Sequence, residues 1–279
     1  MHKFVSFNQE IIFTKDAFLP AISSASFYGK GIFTTIAIYN AKPFRWEKHW
    51  QRLVVNAEII GIDLSEFDEE NVKKSLSEII EKNKLANARA RITFFDQSPN
   101  KVWQIEPKRR TDFLIVTADF RAVSENFCLT VSPFPVNSTS PLTGVKSCNY
   151  LENLLAFEDV KAKGFDEAIR LNERNEVVSA LMANIFWTKN GEVFTPSLET
   201  GCMNGTTRSF ILENFSVKET KANPEEVKNA DEIFLTSSGI EVAEVKTLDE
   251  QIFKGEIINR IQMEFSRQCN PVNNKKLRS

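Results

Sequence analysis

The stretch Ser132-Pro133-Phe134-Pro135-Val136-Asn137-Ser138-Thr139-Ser140-Pro141 constrains this chain more than any other, with three prolines and four hydroxyl residues in ten positions. Proline has a fixed φ and no amide donor, so neither a helix interior nor a central strand can run through such a segment. A chain of 279 residues broken there is expected to form two bodies of ordinary domain size. The reading is an N-terminal α/β domain over 1–122, an end strand and proline-rich linker over 123–145, and a C-terminal domain over 146–279.

Periodicity on the N-terminal side mixes strands and helices. Phe4 to Phe7 and the β-branched and aromatic run Gly31 to Tyr39, with Asn40 and Pro43 behind it, read as strands. Trp46 to Ile60 places Trp46, Trp50, Leu53, Val54, Ala57 and Ile60 at helical spacing, stopped by Gly61. Asp68 to Glu81 reads as a second helix, and Ala90 to Phe95 and Asp112 to Phe120 as further strands. Beyond the strand Phe127 to Val131 and the linker, a helix is expected over Asn149 to Lys163, with Leu151, Leu154, Leu155 and Ala156 as its apolar face. A strand-rich region then follows: Glu167 to Leu171, Val177 to Ser179, and Ile185 to Thr188 turning at Lys189-Asn190-Gly191 into Val193-Phe194. Thr206 to Phe215 opens a helix, Asn223-Pro224 caps another, Ile233 to Thr236 and Val242 to Val245 are strands, and Ile257 to Phe265 is the last helix.

Composition narrows the function classes. Hydrophobic residues at 42% and charged residues at 26% are globular values, and the 23 phenylalanines read as core packing. A net charge of -2 offers no basic face for nucleic acid, and Lys108-Arg109-Arg110 and Lys275-Lys276 read as short solvated runs. Cys128, Cys148, Cys202 and Cys269 lack CxxC spacing, and no signal peptide or long apolar run precedes them. Free thiols in a reducing, cytoplasmic setting are therefore expected, with no membrane partner. His2 and His49 are the only histidines, too few for a His-rich metal site or a Ser-His-Asp triad; no metal is expected, and His49 reads as structural.

Some stretches admit both a plain and a chemical reading. Gly205-Thr206-Thr207-Arg208 at a predicted helix start offers amides, hydroxyls and a guanidinium suited to a phosphate, or is an ordinary N-cap. Thr236-Ser237-Ser238-Gly239 is a hydroxyl-rich turn after a strand. Arg52 either snorkels to solvent or holds an anion. Lys146 is a surface lysine or, with its amine desolvated, a nucleophile.

The order and spacing of five segments decide between these readings. They are Val145-Lys146-Ser147-Cys148-Asn149-Tyr150-Leu151-Glu152-Asn153, Gly164-Phe165-Asp166-Glu167-Ala168-Ile169-Arg170-Leu171-Asn172, Ala183-Asn184-Ile185-Phe186-Trp187, Thr195-Pro196 and Gly205-Thr206-Thr207-Arg208. Together they resemble the pyridoxal-phosphate enzymes of aminotransferase class IV, which include branched-chain and D-amino-acid aminotransferases and aminodeoxychorismate lyase. The resemblance runs from Phe7-Asn8 to about Val245. It implies a mixed α/β (α+β), two-domain fold of the D-amino-acid aminotransferase type (fold type IV). The N-terminal α/β domain would be the smaller, the C-terminal domain would have a barrel-like β core, and the cofactor, pyridoxal 5'-phosphate, would lie between them in a homodimer. It further implies Lys146 as the Schiff-base lysine and general base, with Thr35 beside it as catalytic. Arg52, Thr206, Thr207, Ser237 and Ser238 would hold the phosphate and Tyr150 the ring hydroxyl, although a core tyrosine fits Tyr150 nearly as well. Tyr28 and Thr34 would face a small amino substrate.

Within Tyr28-Gly29-Lys30-Gly31-Ile32-Phe33-Thr34-Thr35 the two threonines resemble the lyase branch, since the transaminases typically carry a glutamate at the position of Thr34. Three departures stand out. The family's Asp-Arg is Ser23-Ser24 here, its Gly-Asp-Gly is Gly29-Lys30-Gly31, and the glutamate that protonates the pyridine nitrogen is Ser179, with Glu173 and Glu176 out of register. Without that carboxylate the electron sink is weaker, which hurts transamination more than an elimination whose leaving group carries charge away. The expected function is conversion of 4-amino-4-deoxychorismate to 4-aminobenzoate and pyruvate. The alternatives are an aminotransferase for branched-chain or D-amino acids, and a degenerate member with weak cofactor binding.

Overall fold

A computed structural model of the chain describes residues 1–98 and 110–269; Lys108-Arg109 and Lys275-Lys276 lie outside the described residues. The described chain clusters into one unit of residues 1–120 with 145–149, and a second of 121–144 with the residues from 150 onward.

The first unit is built on an antiparallel sheet ordered β2-β1-β6-β5-β3-β4. Its strands are β1 (Phe4–Phe7), β2 (Glu10–Phe13), β3 (Gly31–Tyr39), β4 (Lys42–Pro43), β5 (Ala88–Asp96) and β6 (Thr111–Ala118). Asn40 and Ala41, both at positive φ, close the β3–β4 hairpin. Helices α1 (Ser24–Tyr28), α2 (Trp46–Ile60) and α3 (Glu69–Lys82) complete the unit. Strand alternation sends Ile32, Ile36 and Ile38 of β3 and Ala88, Ala90, Ile92 and Phe94 of β5 into one core with Trp46, Leu53 and Ala57 of α2 and Val72, Leu76 and Ile79 of α3. The buried stripe of α2 also takes in His49 and Asn56, polar positions that hydrophobic spacing alone leaves out.

Residues Val145–Asn149 cluster with this unit because β4 covers β3 only at Ile38 and Tyr39. The start of β3 therefore has an unpaired edge, and the segment following the linker fills it. Phe33 N donates to Lys146 O at 2.9 Å, Cys148 N donates to Gly31 O at 2.8 Å, and Ile32 bridges Ser147. Gly31 has to be glycine for this approach, since a Cβ there would lie 2.9 Å from Phe94 O and 3.0 Å from Cys148 Sγ. Lys146 is thus fixed by backbone pairing to the strand that carries Phe33, Thr34 and Thr35.

The second unit contains two five-stranded sheets. One, ordered β16-β15-β7-β8-β9, comprises β7 (Cys128–Val131), β8 (Glu167–Leu171), β9 (Val177–Ala180), β15 (Thr247–Leu248) and β16 (Gln251–Ile252). The other, ordered β12-β11-β10-β13-β14, comprises β10 (Asn184–Lys189), β11 (Glu192–Pro196), β12 (Val217–Thr220), β13 (Glu232–Ser237) and β14 (Glu241–Val245). Leu129, Ile169 and Val177 from the first share a core with Ile185, Trp187, Ile233 and Leu235 from the second. The expected barrel-like core thus takes the form of two sheets around one apolar interior. Around them lie α4 (Leu151–Ala162), α5 (Thr206–Asn214), α6 (Pro224–Lys228) and α7 (Ile257–Cys269). Asn223 forms a full capping box with Glu226 ahead of Pro224.

Helix α4 corrects the apolar face expected for it. Ala156 and Val160 are buried with Ala168 and Leu181, whereas Leu151, Leu154 and Leu155 are 65%, 46% and 52% exposed. The helix meets β8 through its small and β-branched positions, and spacing on a helix with apolar residues all round does not reveal which stripe packs. Strands β2, β12, β15 and β16 and helix α1 were not expected; all are five residues or shorter, below the length at which periodicity shows.

Candidate active site

Strand alternation divides the threonine pair of β3. Thr34 points with Ile32 and Ile36 toward α2, where His49 and Arg52, three residues apart, share one face. Arg52 Nη2 donates to Thr34 Oγ1 at 2.5 Å, and Thr34 Oγ1 lies 2.7 Å from His49 Nδ1. The guanidinium has only donors, so Thr34 Oγ1 accepts from Arg52, and its own proton is available to His49 Nδ1 in the tautomer that leaves that nitrogen unprotonated. The imidazole is neutral: burial, then the charges of Arg52, Arg45 and Lys146, hold its pKa well below the usual histidine range. Thr34, expected to face substrate, is wholly buried. Its hydroxyl is committed to setting Arg52.

On the other face of β3 lie Phe33 and Thr35, with Arg91 directly opposite Thr35 on β5. Lys146 Nζ is 4.6 Å and Arg91 Cζ 3.6 Å from the Phe33 ring centroid. Arg91 also reaches Thr93 Oγ1 at 3.3 Å and Cys148 Sγ at 3.9 Å. Burial first, then Arg52 and Arg91, bring the Lys146 amine from 10.5 down to about 7, so a large fraction carries a usable lone pair at neutral pH. Tyr28 ends α1, exposed and edge-on to Phe27. The family's Asp-Arg position has become a helix cap, Ser23 Oγ accepting from Ser26 N. Lys30 is neutralised by Asp96 at 2.7 Å.

In the second unit, α5 starts at Thr206 behind Gly205, which supplies no side-chain cap. The first amides of a helix have no partner within it, so Thr206 and Thr207, both buried, present N–H and hydroxyl groups at a positive dipole end. A Cβ on Gly205 would collide with Asn184 Oδ1, and Asn184 pairs across the sheet with Thr236. This brings the α5 start to the end of β13, where Ser237 Oγ accepts from Gly239 N at 3.2 Å and Thr236 Oγ1 is buried without a partner. Arg208, by contrast, turns to Pro196 O and Glu219 and braces the loop. Ser179, partly buried on β9, stands opposite Arg170 on β8, and Tyr150 immediately precedes α4.

Each unit by itself holds groups that fit pyridoxal phosphate: in the second, the α5 start and the unpartnered Thr236 hydroxyl suit a phosphate; in the first, a lysine near pKa 7 suits an aldehyde. His49 and Arg91 are neighbours of Arg52 and Lys146 that the sequence reading did not place there. The three-residue spacing of His49 and Arg52 was the available signal for the first; the alternation Ala88-Arg89-Ala90-Arg91 was the signal for the second. Among the described residues no group of three or more His, Cys, Asp or Glu side chains is placed to hold a metal, and no helix is long and apolar enough to cross a membrane. All four cysteines are free thiols.

Residues 31–248 match the family described as amino-transferase class IV. The chain is 25% identical to the aminodeoxychorismate lyase of Bacillus subtilis over 266 residues, covering 91% of this chain and 90% of that one. It is 26% identical to the branched-chain-amino-acid aminotransferase of Salmonella typhimurium over 283 residues, covering 94% and 91%. The crystal structure of Escherichia coli branched-chain amino acid aminotransferase superposes with a TM-score of 0.88 at 26% identity, over 95% of this chain and 94% of that one.

Proposed function

The chain belongs to amino-transferase class IV, whose cofactor is pyridoxal phosphate, and from that premise we propose that it is a lyase of the aminodeoxychorismate type. It would release 4-aminobenzoate and pyruvate from 4-amino-4-deoxychorismate. The observation that carries the reading is Thr34: a neutral hydroxyl, bonded to both Arg52 and His49, stands where the family's transaminases carry a carboxylate.

Bound pyridoxal phosphate supplies an electron-withdrawing group that makes the proton on the substrate's nitrogen-bearing carbon removable. Lys146 Nζ, near pKa 7, takes that proton and returns one to the departing enolpyruvate. The ring C–O bond breaks, the ring gains aromaticity, and the enolpyruvate leaves as pyruvate. Arg91, on the same face as Thr35, provides a cation for a substrate carboxylate, and Thr35 orients the substrate beside it. Thr34 and His49 fix Arg52 as an anion-binding group of the first unit. In the second unit Thr206, Thr207, Ser237 and Ser238 form a phosphate cradle, with Tyr150 for the ring hydroxyl and Ser179 for the ring nitrogen. A homodimer in the cytoplasm is part of the same reading.

Branched-chain aminotransferase activity is the second reading, favoured by relatives with that name at 26% identity, no less similar than the lyase at 25%. Product analysis separates the two. Aminodeoxychorismate should yield 4-aminobenzoate and pyruvate in equal amounts with the native chain, and neither product with Lys146→Ala. Amino-group exchange between a branched-chain amino acid and a 2-oxo acid, with no 4-aminobenzoate formed, would overturn the lyase.

A further inference from the structure

Ser179 has lost a carboxylate relative to the family, and its cross-strand partner shows what replaced the charge. In the antiparallel pair β8–β9, Arg170 is directly opposite Ser179, one step before a register shift at Arg170/Leu171. Directly opposed residues project from the same face of a sheet with Cβ atoms about 5 Å apart. A guanidinium therefore accompanies the serine on the face where a carboxylate would otherwise stand.

Arg170 is 5% exposed, and its head group is held in place. Nη1 donates to Asn153 Oδ1 at 3.2 Å and Nη2 to Pro135 O at 3.4 Å, while Asn153 Nδ2 donates to Leu181 O. Among the described residues, the only carboxylate paired with Arg170 is Glu152 at the start of α4, 3.6 Å away with a side chain 82% exposed, so water screens most of its charge. Tyr150, ahead of α4, is the other titratable neighbour acting on Arg170. The acids of the β8–β9 turn are committed elsewhere: Glu173 accepts from Ser138 and pairs with Arg174, and Glu176 pairs with Arg174 and accepts from Asn172. Glu167, an odd number of residues from Arg170, lies on the opposite face of β8 and is paired with Arg121.

We propose that this chain holds the ring nitrogen of pyridoxal phosphate without a proton, Ser179 donating a hydrogen bond to it and Arg170 supplying the positive charge that keeps the proton off. The inference rests on the reading that Ser179 faces the ring nitrogen. The physical reason is charge: a guanidinium is permanently protonated, and a second positive charge in its neighbourhood is disfavoured, as it is for any base beside a cation. A hydroxyl can serve an unprotonated nitrogen as donor; a carboxylate cannot. The ring then withdraws electrons less strongly, which favours chemistry in which a leaving group removes the developing charge.

The test uses the full chain reconstituted with pyridoxal phosphate labelled with nitrogen-15 in the ring. Attachment is checked first by borohydride reduction and peptide mass at Lys146. The nitrogen-15 signal should then stay at the unprotonated position from pH 6 to 9. In Arg170→Gln/Ser179→Glu it should move to the protonated position at neutral pH. Ser179→Ala, which keeps Arg170 and makes little demand on folding, should stay unprotonated and shift only as the hydrogen bond is lost. A protonated signal in the native chain or in Ser179→Ala would overturn the proposal while leaving cofactor binding intact. Absence of label on Lys146 would instead remove the underlying reading, and the proposal with it.

Discussion

Thr34 joins two side chains that would otherwise compete. Arg52 needs an acceptor and His49 Nδ1 a donor, and one hydroxyl serves both at 2.5 and 2.7 Å. Thr34→Val keeps the shape of the strand and removes both bonds, so the buried imidazole and the guanidinium each lose one of their partners. A cost of about 1–3 kcal/mol follows, together with roughly tenfold weaker pyridoxal-phosphate binding as Arg52 loses its fixed position. Chemical denaturation of the cofactor-free chain and titration of the visible band check the two effects; unchanged affinity would show that Arg52 is placed by other contacts. Lys146 and Arg52 stand out in the sequence through their neighbours. Thr34's role does not, because which face of a strand meets a helix is decided by packing and not by the dipeptide.

Helix α5 shows how ordinary parts leave a helix start open for the proposed phosphate cradle. Gly205 leaves the first amides uncapped, and its missing side chain lets the helix start approach Asn184. Gly205→Ala should destabilise the chain by about 1–3 kcal/mol, an overpacking cost, and weaken inorganic phosphate or cofactor binding by displacing the Thr206 and Thr207 amides. Calorimetry of both properties checks this, and an alanine variant with native phosphate affinity would show that the cradle lies elsewhere. The α5 start, the α6 capping box and the long strands were all readable from caps, glycines and alternation. The buried face of α4 was not: Leu151, Leu154 and Leu155 outrank Ala156 and Val160 in hydrophobicity, yet the smaller residues pack against β8, since close approach to a sheet selects for size as well as polarity.

Across the whole molecule, three buried ionisable groups act on stability, Glu167 in one direction and Lys146 and His49 in the other, His49 because the unfolded chain is the stronger proton binder below 6.5. Burial raises Glu167 from 4.5 to about 7 despite Arg121, so between these values the folded chain binds more protons than the unfolded, and stability falls as pH rises through 7. Lys146 is lowered from 10.5 to about 7, so the unfolded chain binds more protons between 7 and 10.5, and stability rises across that window. The cofactor-free protein should therefore gain thermal stability as pH rises from 7 to 10.5. Lys146→Met should flatten that rise, whereas a variant that retains it would assign it to other groups.

The sequence by itself determined the mixed α/β class, most strands and helices, and the family to which the chain belongs, whereas the proline-rich segment expected to separate two domains lies within the second unit. The former follow from local chemistry: two distinct periodicities, and short motifs whose spacing survives in one dimension. Only the tertiary structure decided that Lys146 pairs with the open edge of β3, that Arg91 and His49 join its surroundings, and that Arg170 stands opposite Ser179. Each of those depends on strand register and on which face is covered, and a register is set by contacts between residues far apart along the chain.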